Sequence, residues 1–188
     1  MPKKTIRLSS QEDLKVFMSP QRQKLMRNMR MAGKPLTSKA LSDMLGISTS
    51  SAQFHIKKLE KLGIVELSYT EKIKGIIAKY YRIADINVNI GTHLKDNLSK
   101  ERYVIMQNLI HNTFDGLIEF YESGVSDEVI EENSEFINGF VNLTPNDAHE
   151  LLNLIREFAD SRQNKGADTQ IWEYTLMLYN TGAADKQP

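Results

Sequence analysis

Residues 35–69 read PLTSKALSDMLGISTSSAQFHIKKLEKLGIVELSY. Thr37 is an N-cap for the helix SKALSDML, whose Leu41, Met44 and Leu45 form an apolar stripe. Gly46 suits the left-handed residue that closes such a helix. The next helix, TSSAQFHIKKLEKL, follows after only Gly46-Ile47-Ser48, and its Ala52, Ile56, Leu59 and Leu62 repeat on one inward face until Gly63 stops it. IVELSY then alternates Val65, Leu67 and Tyr69 against Glu66 and Ser68, the pattern of a half-buried strand. So short a turn makes two amphipathic helices cross steeply, and the second projects from the body.

Working outward, Ser10 with Asp13 three residues later starts a short helix, and Ser19-Pro20 starts another that runs through Leu25, Met26 and Met29 to a break at Gly33. Downstream, the lysine-bearing TEKIKG leads to the β-rich IIAKYYRIA, a hairpin with a longer connection around Gly75. Residues 10–84 therefore read helix, helix, helix, tight turn, helix, strand, basic loop, strand. That order is a winged helix-turn-helix: mostly α with a small β-hairpin wing, here followed by a C-terminal helical domain.

With 188 residues, 40% hydrophobic and 26% charged, the chain buries a core, and collagen-like or wholly disordered readings are excluded. It contains no cysteine, hence no disulfide, thiolate metal site or cysteine nucleophile. No apolar run reaches about 18 residues, and MPKKTIRLSS lacks the apolar stretch of a secretory signal, so no membrane contact and a cytoplasmic location are expected. The formal net charge of zero hides a division: residues 1–90 carry 17 Lys and Arg against 7 Asp and Glu, residues 91–188 the reverse. A polyanion-binding front and an acidic back follow. The expected organisation is a disordered basic arm at 1–9, the winged domain at 10–90, an acidic helical dimerisation or effector domain at 91–181 and a disordered tail at 182–188.

A major groove about 12 Å wide admits one helix and displays an unambiguous donor and acceptor code. The first turns of the helix at about 49–62 offer Thr49, Ser50, Ser51 and Gln53 to it, with Gln53 suited to an adenine edge and Thr49 to a thymine methyl. Phe54 falls near the outer face, where it either touches thymine methyls and the sugar backbone or packs against the wing. His55, beside the core stripe, bonds either a phosphate or the helix below. Lys57, Lys58 and Lys61 lie further along, placed for phosphates, and Lys72 and Lys74 occupy the wing at 70–78. Lys3, Lys4 and Arg7 add charge from the arm. Each phosphate neutralised contributes about −0.9 to the slope of log affinity against log salt.

These residues carry a resemblance. PLTSKALSDMLGISTSSAQFHIKKLEKLGIVELSY, with KYYRIA at 79–84, resembles the ArsR-type winged-helix transcriptional regulators. The matching features are Leu41, Gly46 and Ile47 at the turn, then His55, Leu59, Leu62 and Gly63 at the reading helix, together with Ser19-Pro20, Arg22 and Leu25. Two positions depart: Ser42 stands where alanine is usual, and Ala52 where a larger aliphatic residue is common. The likeness covers about the first 85 residues and implies DNA binding. Metal-sensing members use cysteine or clustered histidine and carboxylate ligands; here His93, His111 and His149 are far apart, so no metal and no cofactor are expected.

The acidic half is similar to the helical extension of some members, in which a long helix dimerises and a Thr-Pro-capped helix leads to a final strand. Leu94, Leu98, Ile105 and Leu109 are the candidate dimer interface, on a stripe that continues to Tyr121 in one long helix or in two that break near Gly116. Further helices start after Ser126 and at Thr144-Pro145. IWEYTLMLY at 171–179 favours strand by its aromatic and β-branched content. Phe114, Phe120, Phe136, Phe140, Phe158 and Trp172 are candidates to line a small-molecule effector pocket. No phosphate loop or nucleophile elbow suggests an enzyme, and no residue is read as catalytic. The expected function is a dimeric repressor reading an operator in double-stranded DNA; the alternative is a winged-helix protein-interaction module.

Overall fold

A computed structural model describes residues 3–162 and 169–183. The elements are β1 (Lys4–Arg7), α1 (Gln11–Met18), α2 (Pro20–Ala32), β2 (Leu36–Thr37), α3 (Ser38–Leu45), α4 (Thr49–Lys61), β3 (Val65–Ile73), β4 (Ile76–Ile83), β5 (Ile86–Asn89), α5 (Ser99–Tyr121), α6 (Asp127–Asn133) and α7 (Pro145–Ser161). The architecture is mostly helical with a small antiparallel wing. Two compact units divide at Asn112/Thr113, so the boundary expected after residue 90 falls within the first of them.

In the first unit the apolar faces of α1 to α4 converge: Leu14, Leu25, Met26, Leu41, Ile56, Leu59 and Ile64 have no exposed surface. Thr37 caps α3 by accepting from the Ala40 N–H at 3.1 Å, and Gly46 ends it with φ 64°. Ser48 caps α4 by accepting from the Ser51 N–H at 3.1 Å. Helix α1 ends without a glycine, and the side chains of other helices supply donors for its last carbonyls. Arg22 donates to the Lys15 and Val16 oxygens, Gln23 to Phe17 and Asn108 to Met18.

The N-terminal arm is not disordered over its described residues. β1 pairs in parallel with β5, Lys4 opposite Ile86 through Arg7 opposite Asn89, and the Leu8 N–H donates to the Asn89 oxygen at 2.9 Å. Lys3 forms an ion pair with Asp85 at 3.1 Å. The arm's charge masks a period of two, in which half-buried Ile6 and buried Leu8 alternate with exposed Thr5 and Arg7.

β2, β4 and β3 form one antiparallel sheet in that order. The wing's connection is shorter than expected: β3 and β4 pair as far as Ile73 opposite Ile76, leaving a two-residue turn of Lys74 (φ 49°) and Gly75 (φ 86°). Positive φ at both positions is the turn whose twist matches that of paired strands. One irregularity, between Leu67 and Tyr69, interrupts the register.

The segment between β5 and α5 is tied by Arg102, whose side chain is 1% exposed. It donates through Nε to the Ile90 oxygen at 2.7 Å and through Nη2 to Asp96 Oδ2 at 2.8 Å, while Nη1 meets the other carboxylate oxygen. Gly91 beside it has φ 69°, a left-handed conformation that favours glycine, and a methyl there would also push the Leu94 side chain aside. The Arg102 hydrogen bonds and the Leu98 N–H hold the Asp96 carboxyl down from 3.8 to about 2. A depressed carboxylate stabilises the fold above its unfolded pKa, and that contribution is lost as pH falls through the folded value. Asp96→Asn is therefore expected to melt below the native protein at neutral pH, with the gap closing between about pH 4 and 2; a constant gap in melts across that range counts against it.

Helix α5 starts at Ser99, after Leu94 and Leu98, and continues without a break at Gly116. The stripe expected at a dimer interface faces the first unit's own core. Ile105 is 1% exposed within it, and Leu98 and Leu109 pack against it; Leu94 is half-buried beside Gly91. In the second unit α7 begins with the expected Thr144 cap, where Asp147 accepts from the Thr144 N–H at 2.9 Å and Thr144 Oγ1 accepts from the Asp147 N–H at 3.2 Å. Residues 171–179 form no strand, because no segment among the described residues pairs with them. Of the expected tail, 184–188 lie outside the described residues. No helix among the described residues is long and apolar enough to cross a membrane.

Candidate nucleic-acid interface

Helix α4 divides cleanly into two faces. Ala52, Ile56 and Leu59 are fully buried, whereas Thr49, Ser50, Gln53, Phe54 and Lys57 are exposed and Ser51, His55 and Lys58 are half-buried. The division follows from the 3.6-residue period.

The hydroxyls at the start of α4 differ in freedom. Ser42 is 2% exposed; its Oγ donates to the Lys39 oxygen at 2.7 Å and lies 3.1 Å from Thr49 Oγ1. With its one proton on Lys39, Ser42 accepts from Thr49, so the Thr49 hydroxyl is engaged within the fold and its methyl is left for an outside contact. The position that departs from the ArsR-type pattern thus links α3 to the first residue of α4. Ser50 and Ser48 hydroxyls lie 3.1 Å apart. Gln53 is exposed and has no hydrogen-bond partner among the described residues.

Phe54 packs along its own helix rather than against the wing. The residue is 54% exposed, with the His55 ring edge-on at 5.6 Å from its ring and Lys58 Nζ 5.7 Å from the ring centroid. His55 Nδ1 lies 3.4 Å from Arg22 Nη1. A guanidinium only donates, so Nδ1 accepts and the imidazole proton sits on Nε2. Burial first, and the Arg22 charge second, push the His55 pKa down, which keeps the ring neutral at neutral pH. Arg22 therefore both ends α1 and orients a side chain of α4, a role that its position in the sequence, 33 residues before His55, does not reveal.

The wing carries Lys72 and Lys74 exposed, with Lys79 exposed on β4. Tyr69 and Tyr80 stack across the strands at 4.4 Å, and Arg82 bonds Glu66 at 2.7 Å. The Tyr80 hydroxyl bonds the Glu71 carboxylate, which raises the phenol's pKa. The aromatic residues suggested for an effector pocket do not gather into a closed one: Phe114, Phe136, Phe140, Phe158 and Trp172 are each more than half exposed.

Residues 32–66 match the family model described as winged helix-turn-helix DNA-binding. No curated protein matches the chain. Among solved structures, the heme sensor protein PefR from Streptococcus agalactiae, in complex with heme, is 17% identical with a TM-score of 0.32, covering 80% of this chain and 78% of that one. The adhesin competence repressor AdcR from Streptococcus pyogenes is 15% identical with a TM-score of 0.29, over 76% and 80%. At that distance nothing those proteins bind is carried over. The first unit thus has a winged helix-turn-helix fold, and within it residues 32–66 are similar to the family so described.

Proposed function

We propose that this chain is a sequence-specific, double-stranded DNA-binding transcriptional regulator of the ArsR type, acting as a dimeric repressor. The N-terminal turns of α4 enter the major groove and the wing lies on the backbone. The observation that carries this reading is the two-sided α4: its inner face is locked into the core by fully buried side chains, while its first turns leave Thr49, Ser50 and Gln53 exposed, with the Gln53 amide unengaged. His55 Nε2–H is a neutral donor for a phosphate, and Lys57, Lys58, Lys61, Lys72 and Lys74 supply charge.

Dimerisation belongs to the same reading, through the second unit rather than through Leu94, Leu98, Ile105 and Leu109. Beyond Ile105 no described residue is buried. FINGFVNL at 136–143 and IWEYTLMLY at 171–179 hold Phe140 at 96%, Ile137 at 87% and Tyr179 at 79% exposed, with Glu173 the single charged residue in either segment. At roughly 200 Å² for a large side chain, these segments present on the order of 1,500 Å² of apolar surface, against about 800 Å² per partner in a standard interface. A twofold protein suits a twofold operator. Control of affinity is assigned to this unit, whose residues 113–188 carry 15 Asp and Glu against 4 Lys and Arg.

Selection of bound duplexes from a random pool tests the proposal. The expected outcome is a palindrome with half-sites about one helical turn apart, bound with a steep salt dependence. No enrichment and a flat salt response would instead favour a protein-interaction module. On the selected operator, Gln53→Ala is expected to relax base preference at one position per half-site, whereas Lys72→Ala weakens all sequences alike and lowers the salt slope by about one per bound wing. Uniform loss from both variants would place the reading helix elsewhere.

A further inference from the structure

The wing ends in an apolar point. Val65 and Tyr81, at its base, are 1% and 5% exposed, but beyond the Tyr69–Tyr80 stack the hairpin leaves the core. Four further pairs, from Thr70 opposite Lys79 to Ile73 opposite Ile76, extend it by about 13 Å. At the far end Ile73, Ile76 and Ile77 are 44%, 74% and 65% exposed. Strand propensity does not account for them, because threonine satisfies it and is compatible with water. The exposed ends of natural hairpins more often carry charge.

The surroundings of the point are cationic. Lys72 pairs with Ile77 across the strands, Lys74 forms the turn and Lys79 stands two residues behind Ile77. The one carboxylate between 70 and 79, Glu71, already bonds the Tyr80 hydroxyl. The turn is as narrow as a hairpin allows, with two residues and the twist its strands prefer. Buried Ile64, whose oxygen accepts from the Ala84 N–H at 2.9 Å, connects α4 to β3, so the hairpin is fixed close to the end of the reading helix.

We infer that the wing tip is a wedge for duplex DNA: an isoleucine enters the minor groove beside the operator half-site, and the surrounding lysines hold the flanking phosphates. The inference rests on the DNA-binding reading above and adds a consequence to it, that binding bends the duplex. A minor groove about 6 Å wide does not take a two-stranded ribbon, but it takes one aliphatic side chain if a base step opens toward it. The opening falls most easily at pyrimidine–purine steps, which unstack readily. A lipid surface or an apolar protein groove would also accept isoleucines. The lysine collar and the attachment to α4 favour the polyanion that α4 itself contacts.

The test uses the full-length protein and a duplex recovered from the random pool, labelled at both ends for energy transfer. Native protein is expected to bring the ends closer. The double variant Ile76→Ser, Ile77→Ser should leave the ends at their free distance, with affinity about tenfold weaker and the salt slope unchanged, since no phosphate contact is lost. Lys72→Ala, Lys74→Ala should lower the salt slope by about one per lysine. All four positions are exposed, so unchanged melting temperatures serve as the folding control. A bound but straight duplex, or a serine variant that bends it as native protein does, overturns the wedge and leaves the DNA-binding reading standing. Loss of binding to anionic phosphatidylglycerol vesicles in the serine variant, with bending intact, assigns the tip to a membrane and also overturns it. Native protein that binds no duplex at all removes both.

Discussion

Ile56→Ala is expected to cost about 3 kcal/mol of stability, lowering the melting temperature of the first unit by something like 15 °C and weakening operator binding in proportion to the unfolded fraction. Ile56 has no exposed surface and lies between Ala52 and Leu59 on the inner face of α4, in the cluster that also holds Leu25, Leu41 and Ile64. Truncating it removes apolar contacts and leaves a cavity in a core whose surrounding helices relax only partly. A total stability of about 5–15 kcal/mol makes that a large share. Gln53, three residues earlier and exposed, is the control: Gln53→Ala is expected to move stability by less than about 0.5 kcal/mol while altering base preference. Thermal melts and operator titrations on both variants separate the two faces. Equal losses of stability would mean that α4 is not oriented as described.

The second large effect concerns the second unit. Phe140→Asp combined with Trp172→Asp is expected to convert the protein to a monomer in sedimentation and to weaken binding to a two-half-site operator by about 10² to 10⁴, the gain that comes from tethering two reading helices. Phe140 and Trp172 are 96% and 60% exposed, so the change removes nothing from the folded chain's own core and should leave the melting of the first unit intact. Binding to a single half-site should change little. A double variant that still sediments as a dimer would show that the copies meet elsewhere.

Much of the winged domain is legible in residues 35–69 because its determinants are local. An N-cap such as Thr37 or Ser48 acts on an amide three residues away, Gly46 acts on its own backbone, and a stripe such as Ala52, Ile56 and Leu59 repeats within one or two turns. The same holds for Thr144 and Asp147 at the start of α7. The outward residues of α4 follow at once from its inward ones. The roles of Ser42 and Arg22 do not: one acts on Thr49 across the turn, the other on His55 from a different helix. The signal for Ser42 was its departure from the expected alanine.

Hydrophobic periodicity also says that a stripe will be covered without saying by what. Ile105 is buried and Leu98 and Leu109 are half-buried, and what covers them in this chain is its own first unit. IWEYTLMLY has strand composition, yet a strand exists only where another edge donates and accepts its backbone hydrogen bonds.

Caps, glycine positions, helix faces and the opposite charges of the two halves could thus be derived from residues in order. The pairing of the N-terminal arm with β5, the burial of Arg102 and the seating of α5 came only with the folded chain. Those features rest on partners far apart in sequence, as where Asn108 donates to the Met18 oxygen and Gln11 to Glu101, each across 90 residues. No local period records such contacts, because the chain entropy of bringing those residues together is offset only when the whole core closes at once.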